Sequence, residues 1–105
     1  MGARAQVHME ESGVYLYTHW GSGTLKKDVA RALKKKWRWD DVEYLTRIIF
    51  DEMVGKEQGE ETGYGIGTNV AGDAEYIIHI SNNLITVTGY SLWTGTFDEF
   101  IKQFS

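Results

Sequence analysis

The spacing of apolar residues along the chain changes period several times, and each change marks an element. "ARAQVHME" alternates, with Ala5, Val7 and Met9 on one side and Gln6, His8 and Glu10 on the other. A two-residue period predicts a strand with one buried face. "GVYLYTHW" follows the turn-rich "ESG" and places Val14, Leu16, Thr18 and Trp20 on one face, Tyr15, Tyr17 and His19 on the opposite one. Any even-length loop makes the pair a β-hairpin in which Val7 and Met9 share a face with Val14 and Leu16.

After "GSG", at Gly21 to Gly23, the period lengthens. Leu25, Val29, Ala32 and Leu33 form a helical stripe, with Lys27, Arg31 and Lys34 opposite. Lys36 would fall in that stripe, so the helix is expected to end near Lys35. "DDVEYLTRIIFDEM" predicts a second helix. Val42, Leu45, Ile48, Ile49 and Met53 form its buried stripe, Asp40 and Glu43 suggest a capping box, and Gly55 a stop. "GKEQGEETG" reads as a polar loop. Further on, Asn82-Asn83 between β-branched runs predicts a hairpin pairing Ile80 with Ile85 and Ile78 with Val87. "TFDEFIKQF" closes as a short helix with Thr96 and Glu99 as a capping box and Phe97, Phe100, Ile101 and Phe104 as its stripe. The order β-β-α-α-β-β-β-α predicts one α+β domain over residues 1–105. It would have two layers, an antiparallel sheet of about five strands with the helices on one face.

Between the second helix and the last hairpin, "ETGYGIGT" puts glycine at positions 63, 65 and 67. A dinucleotide loop needs G-x-G-x-x-G between a strand and a helix, and a P-loop needs a following Lys-Ser or Lys-Thr. Neither is present. Tyr64, Ile66, Thr68 and Val70 alternate with the glycines, which predicts a strand with one bare face. A helix or an aromatic ring such as Trp20 or Trp39 is expected against that face, with a ligand or partner chain as the other option.

Composition narrows the chemistry. The 105 residues suit one domain, and 42% hydrophobic with 25% charged residues suits a globule. The absence of cysteine excludes disulfides, thiolate metal sites and Cys nucleophiles. No apolar run approaches a membrane span, and "MGARAQVHMEE" has no signal-peptide core, so a cytoplasmic protein without membrane association is expected.

The net charge of −4 conceals an asymmetry: residues 26–38 carry seven basic groups and one acid, or +6, leaving −10 elsewhere. Lys27, Arg31, Lys34, Lys35 and Arg38, with Trp37 and Trp39 interleaved, suit nucleic acid; a solvated helix face with the tryptophans anchoring the turn is the plainer account. Arg38 beside Asp40 and Asp41 suggests an ion pair. On the first hairpin, Arg4, His8, Tyr15, Tyr17 and His19 all point away from the apolar face. Exposed Tyr, His and Arg together have the composition of an interface, against the alternative of residues with high β-propensity. His8, His19 and His79 match no compact metal motif, and a register with His19 near Arg4 keeps it from His8, so neither a metal nor a cofactor is expected. Glu52, inside the apolar arc of the second helix, would have a raised pKa if buried, and with His19 as base it gives a hydrolase-like reading. No nucleophile elbow, carboxylate pair or oxyanion loop accompanies it.

Together, "VYLYTHWGSGTL", "RWDDVEYLTRIIFDEM" and "ETGYGIGT" resemble a group of small uncharacterised prokaryotic and phage proteins. Gly21-Ser22 stands where that group has an Asp-Gly pair. The resemblance implies a shared fold and a prokaryotic or viral setting, with no activity attached. It singles out Arg4, His19, Trp20, Arg38, Trp39, Asp40 and Tyr64. Taken together, the expectation is a non-enzymatic protein-binding or regulatory module, with self-association its simplest form. Its binding residues would be Arg4, Tyr15, Tyr17, His19, Trp20, Arg38, Trp39 and Tyr64. Nucleic-acid binding through the basic helix and hydrolysis through His19 and Glu52 are the alternatives.

Overall fold

A computed structural model of the chain describes residues 4–19, 22–55, 63–72, 74–89 and 92–104. The elements are β1 (Ala5–Met9), β2 (Val14–Thr18), α1 (Ser22–Lys34), α2 (Val42–Val54), β3 (Tyr64–Gly67), β4 (Tyr76–Ser81), β5 (Leu84–Gly89), β6 (Trp93–Thr96) and α3 (Phe97–Phe104). The α+β class and the three helices agree with the sequence pattern. The sheet differs from it: six strands in the order β3-β2-β1-β4-β5-β6. All neighbours are antiparallel except β1 and β4, which are parallel. The sheet is therefore mixed rather than antiparallel. The parallel pair joins strands about seventy residues apart, and no local sequence signal encodes it.

Both hairpin registers follow the alternation. Val7 pairs with Leu16 and Met9 with Val14 across a four-residue connection, Glu10 to Gly13. Ile80 pairs with Ile85 and Ile78 with Val87. Asn83 supplies the positive φ (63°) of the tight turn. The inward positions of β1, β2, β4 and β5 form one buried surface. The α1 stripe of Leu25, Val29 and Leu33 lies in the same core, with Leu45, Ile49 and Met53 of α2 and Phe97 and Phe100 of α3. Each such side chain contributes roughly 1.5–3 kcal/mol by leaving water.

The helix ends show how local chemistry sets boundaries. Thr96 and Glu99 form the expected capping box: Glu99 N–H donates to the Thr96 hydroxyl (3.2 Å) and Thr96 N–H to the Glu99 carboxylate (2.8 Å). At α2 the cap is Asp41 rather than Asp40, its side chain accepting from Tyr44 N–H. That shift leaves Glu43 one position short of the reciprocal bond. The turn after α1 places Lys36 and Arg38 at φ 58°. Trp39 anchors it by donating its indole N–H to the Leu33 carbonyl (3.1 Å) and meeting Phe97 edge-on. Trp37 is instead exposed, and Arg38 lies over the Tyr44 ring (4.5 Å) rather than pairing with Asp40 or Asp41.

The glycines that matter for packing are not those of the Gly-x-Gly-x-Gly stretch. A Cβ on Gly65 or Gly67 would meet nothing within 4 Å, so among the described residues no helix or ring packs closely against that face; Trp20 lies outside them. Gly89 has φ +121°, and a Cβ there would lie 2.5 Å from the Glu75 carbonyl oxygen and 2.7 Å from Tyr76 Cα, both backbone atoms. Gly89→Ala is therefore expected to cost about 2 kcal/mol or more. Gly65→Ala is expected to be neutral, or to stabilise by up to about 1 kcal/mol. Urea denaturation of the two variants measures the contrast.

Candidate binding face

The helices cover one face of the sheet. The other receives the alternate side chains: Gln6 and His8 from β1, Tyr15 and Tyr17 from β2, Ile77 and His79 from β4. β3 and β4 run in the same direction, with β2 and β1 between them. The chain must therefore cross about 14 Å, three strand spacings, within residues 68–75. It does so over the outer face. The Gln6 amide donates to the Asn69 carbonyl (3.2 Å) and accepts from Ala71 N–H (3.0 Å). These two bonds explain why a glutamine facing outward is only 2% exposed.

The crossing leaves a groove of about 380 Å³ beneath it. Gly65 and Gly67 form its floor, Tyr15 and Tyr17 one wall, and Thr68 to Ala71 the other. The bare glycine face thus becomes empty space rather than a packing surface. Ile66 and Val70 are exposed at its rim. A second cavity of about 350 Å³ lies between the α2 N-terminus and the β4–β5 turn, lined by Trp39, Asp40, Val42 and Phe97 among others.

Beside the groove, Arg4 donates from Nε to Nδ1 of His19 (3.0 Å), and the Tyr17 hydroxyl lies 3.2 Å from the same nitrogen. His19 continues β2 through a backbone bond to the Gly63 carbonyl (2.7 Å). Further along the same face, Nδ1 of His8 and Nδ1 of His79 stand 3.0 Å apart. The Tyr15 ring stacks on His8 with centroids 4.1 Å apart and planes 2° from parallel. Nε2 of His79 meets the Thr88 hydroxyl at 3.0 Å. Burial, reinforced by the neighbouring His8, holds the His79 pKa below its ordinary value.

Of the residues singled out by sequence, Arg4, Tyr15, Tyr17 and His19 are thus brought together. Tyr64 and Trp39 pack on the core side, and Arg38 lies in the turn between α1 and α2. Trp20 falls outside the described residues. The His8–His79 pair was invisible to spacing arguments, because it depends on the parallel β1–β4 register. Gln6 looked like an ordinary polar strand position.

Glu52 is not part of this face. It sits in the helix layer, where Nε of Arg31 and Nζ of Lys35 each approach its carboxylate to 2.7 Å. Hydrogen bonds from Lys35 and then Arg31 hold its pKa below the ordinary range, opposite to the rise expected on burial. Two of the five cations named for nucleic acid, Arg31 and Lys35, are thus paired with Glu52, and Arg31 also pairs with Asp28. Burial pushes the Asp28 pKa up despite that pairing. His19 and Glu52 lie on opposite sides of the sheet and form no common site.

No known protein family, curated protein or solved structure matches this chain.

A folded Glu52 that loses its proton more easily than the unfolded one stabilises the fold fully above its ordinary pKa of 4.5. That contribution disappears as pH falls through the lower folded value. Glu52→Gln is therefore expected to cost about 1 kcal/mol at neutral pH. The difference from the unmutated chain should close in acid, as read by thermal melts across pH.

Proposed function

We propose that this chain is a small non-enzymatic binding module of the cytoplasm that works through the outer face of its sheet, and that its partner is a second copy of itself. One observation carries this reading. Fourteen strand positions face outward, and none is Asp, Glu, Lys or Arg. At the chain's 25% charged composition, three or four charges would be expected there. A sheet face turned only to water has no reason to shed them. Depletion of charge with retention of tyrosine marks the core of an interface.

The choice of a second copy follows from symmetry. A two-fold interface sets a patch against itself, so any formal charge near the axis meets its own image. For a chain of net charge −4, a face whose strand positions carry no charge, with Arg4 and Glu10 only at the strand ends, is the surface where that penalty is smallest. The face also offers both shapes needed, the glycine-floored groove and the exposed Val70 beside it. The molecule measures 31 × 30 × 25 Å. One whole side of it is comparable to the ~800 Å² that each partner gives to a standard interface. Among the described residues no helix is long and apolar enough to cross a membrane, in keeping with this reading. We extend the proposal to kinship with the small prokaryotic and phage proteins that share the motifs around His19, Trp39 and Tyr64.

Sedimentation velocity tests the dimer. The unmutated chain is expected to be dimeric at submillimolar concentration. Gly65→Lys has room for its Cβ and places a charge in the face, so it should yield a folded monomer; the Tyr15→Ala, Tyr17→Ala double variant should do the same. An unmutated chain that stays monomeric throughout, or a Gly65→Lys chain that stays dimeric, overturns the proposal.

A further inference from the structure

The geometry points to a divalent transition-metal site, of the kind zinc occupies, formed by His8, His79 and Glu10 on the outer face of the central strands. One ligand atom from each residue lies within 4.8 Å of the other two. Nδ1 of His8 and Nδ1 of His79 are 3.0 Å apart, and Glu10 Oε2 is 3.7 Å from the latter. Two nitrogens bound to one tetrahedral zinc at about 2.0–2.1 Å stand about 3.3 Å apart. The rings therefore need to separate by only a few tenths of an ångström.

A hydrogen bond between the imidazoles accounts for the 3.0 Å pair. It leaves the Glu10 carboxylate, 3.7 Å from the same Nδ1, as a third potential ligand gathered at this point of the face. Three such donor atoms within 4.8 Å of one another are what a cation requires. The far side of each ring is also held. The Thr88 hydroxyl engages Nε2 of His79 at 3.0 Å, an outer partner of the kind that fixes a ligating imidazole's orientation. Tyr15 stacked on His8 fixes that ring's plane. Both histidines stand on paired strands at the centre of the sheet, a rigid support for ligand geometry. Glu10, in the turn directly after β1, is half-exposed and free to swing onto the ion.

The donor set selects the metal class. Two imidazoles and one carboxylate suit zinc and its neighbours, whereas calcium and magnesium require oxygen ligands. Three protein ligands leave a fourth position on the solvent side for water, as in open zinc sites. The site uses residues of one chain only and does not depend on the dimer proposed above.

The test is calorimetric titration of the tag-free, chelator-treated full chain with Zn²⁺, repeated with Co²⁺ and visible absorption. One equivalent per chain is expected. His79→Gln should abolish binding, while Glu10→Gln and Thr88→Ala should each weaken it about tenfold or more. His19→Gln and the monomeric Gly65→Lys variant should bind as the unmutated chain does, which separates this site from the dimer. Far-UV circular dichroism shows whether each variant is folded. If His79→Gln is not folded, NMR of the unmutated chain decides: Zn²⁺ should move the ring resonances of His8 and His79 and leave those of His19. The proposal is overturned by the absence of zinc binding, by its retention in folded His79→Gln, by equal loss in His19→Gln, or by ring shifts confined to His19.

Discussion

The parallel pairing of β1 with β4 is the contact on which the rest of the molecule depends. Each strand belongs to a separate antiparallel unit: β3-β2-β1 on one side, β4-β5-β6 on the other. Only their ladder makes one sheet of the two. Its register sets Val7 beside Ile78 and Met9 beside Ile80 on the buried face. Because side chains alternate, the same register must set His8 beside His79 on the outer face. A slip of β1 by one residue would turn His8 into the core and Val7 and Met9 to solvent, away from His79 on the outer face. Burial of the aliphatic residues therefore enforces the meeting of the histidines.

That pairing also dictates what crosses the outer face. Parallel strands cannot be joined by a tight turn, and here an irregular segment crosses instead of a helix. A backbone segment lying on a sheet needs partners for its polar groups. Gln6 supplies both a donor and an acceptor to it, at Asn69 and Ala71. The glycines of β3 leave the adjoining floor bare, so the segment covers Gln6 yet leaves a groove beside Tyr15 and Tyr17. Elsewhere a missing Cβ serves contact: at Gly95 it would lie 2.6 Å from the Trp93 ring. Two glycines in strands, Gly65 and Gly95, thus have opposite uses: Trp93 and Glu99 crowd the second, while nothing described lies within 4 Å of a Cβ on the first.

This contrast explains how much could be read in advance. Hairpin registers, helix stripes and the Thr96–Glu99 box depend on residues close in sequence, where periodicity and capping chemistry act, and they were legible. The gathering of Arg4, Tyr17 and His19 followed from the first hairpin alone. What depended on distant pairing was not legible: the parallel ladder, the His8–His79 pair and the open space above Gly65 and Gly67 among the described residues; the short β6 was missed although it pairs with its sequence neighbour β5. Glu52 failed for a related reason. Its place in the apolar arc was read correctly, but the helix packed against it brings Arg31 and Lys35 to the same point. Partners across an interface, rather than position on a helical wheel, decide the pKa of such a residue.

Charge is sorted between the two layers, and this sorting separates support from recognition. In the helix layer, Arg31 and Lys35 meet Glu52, Arg31 also meets Asp28, and Arg47 meets Asp51. Two of the seven cations of the +6 segment that had suggested nucleic acid, Arg31 and Lys35, thus share the Glu52 carboxylate. The strand positions of the outer sheet face offer shape and uncharged or imidazole groups instead, with Arg4 and Glu10 at the strand ends. Within it, Tyr15 belongs to two constellations: it walls the groove and stacks face to face on His8. The groove and the histidine pair are therefore neighbouring parts of one face, joined by the Tyr15 ring and built on different strands.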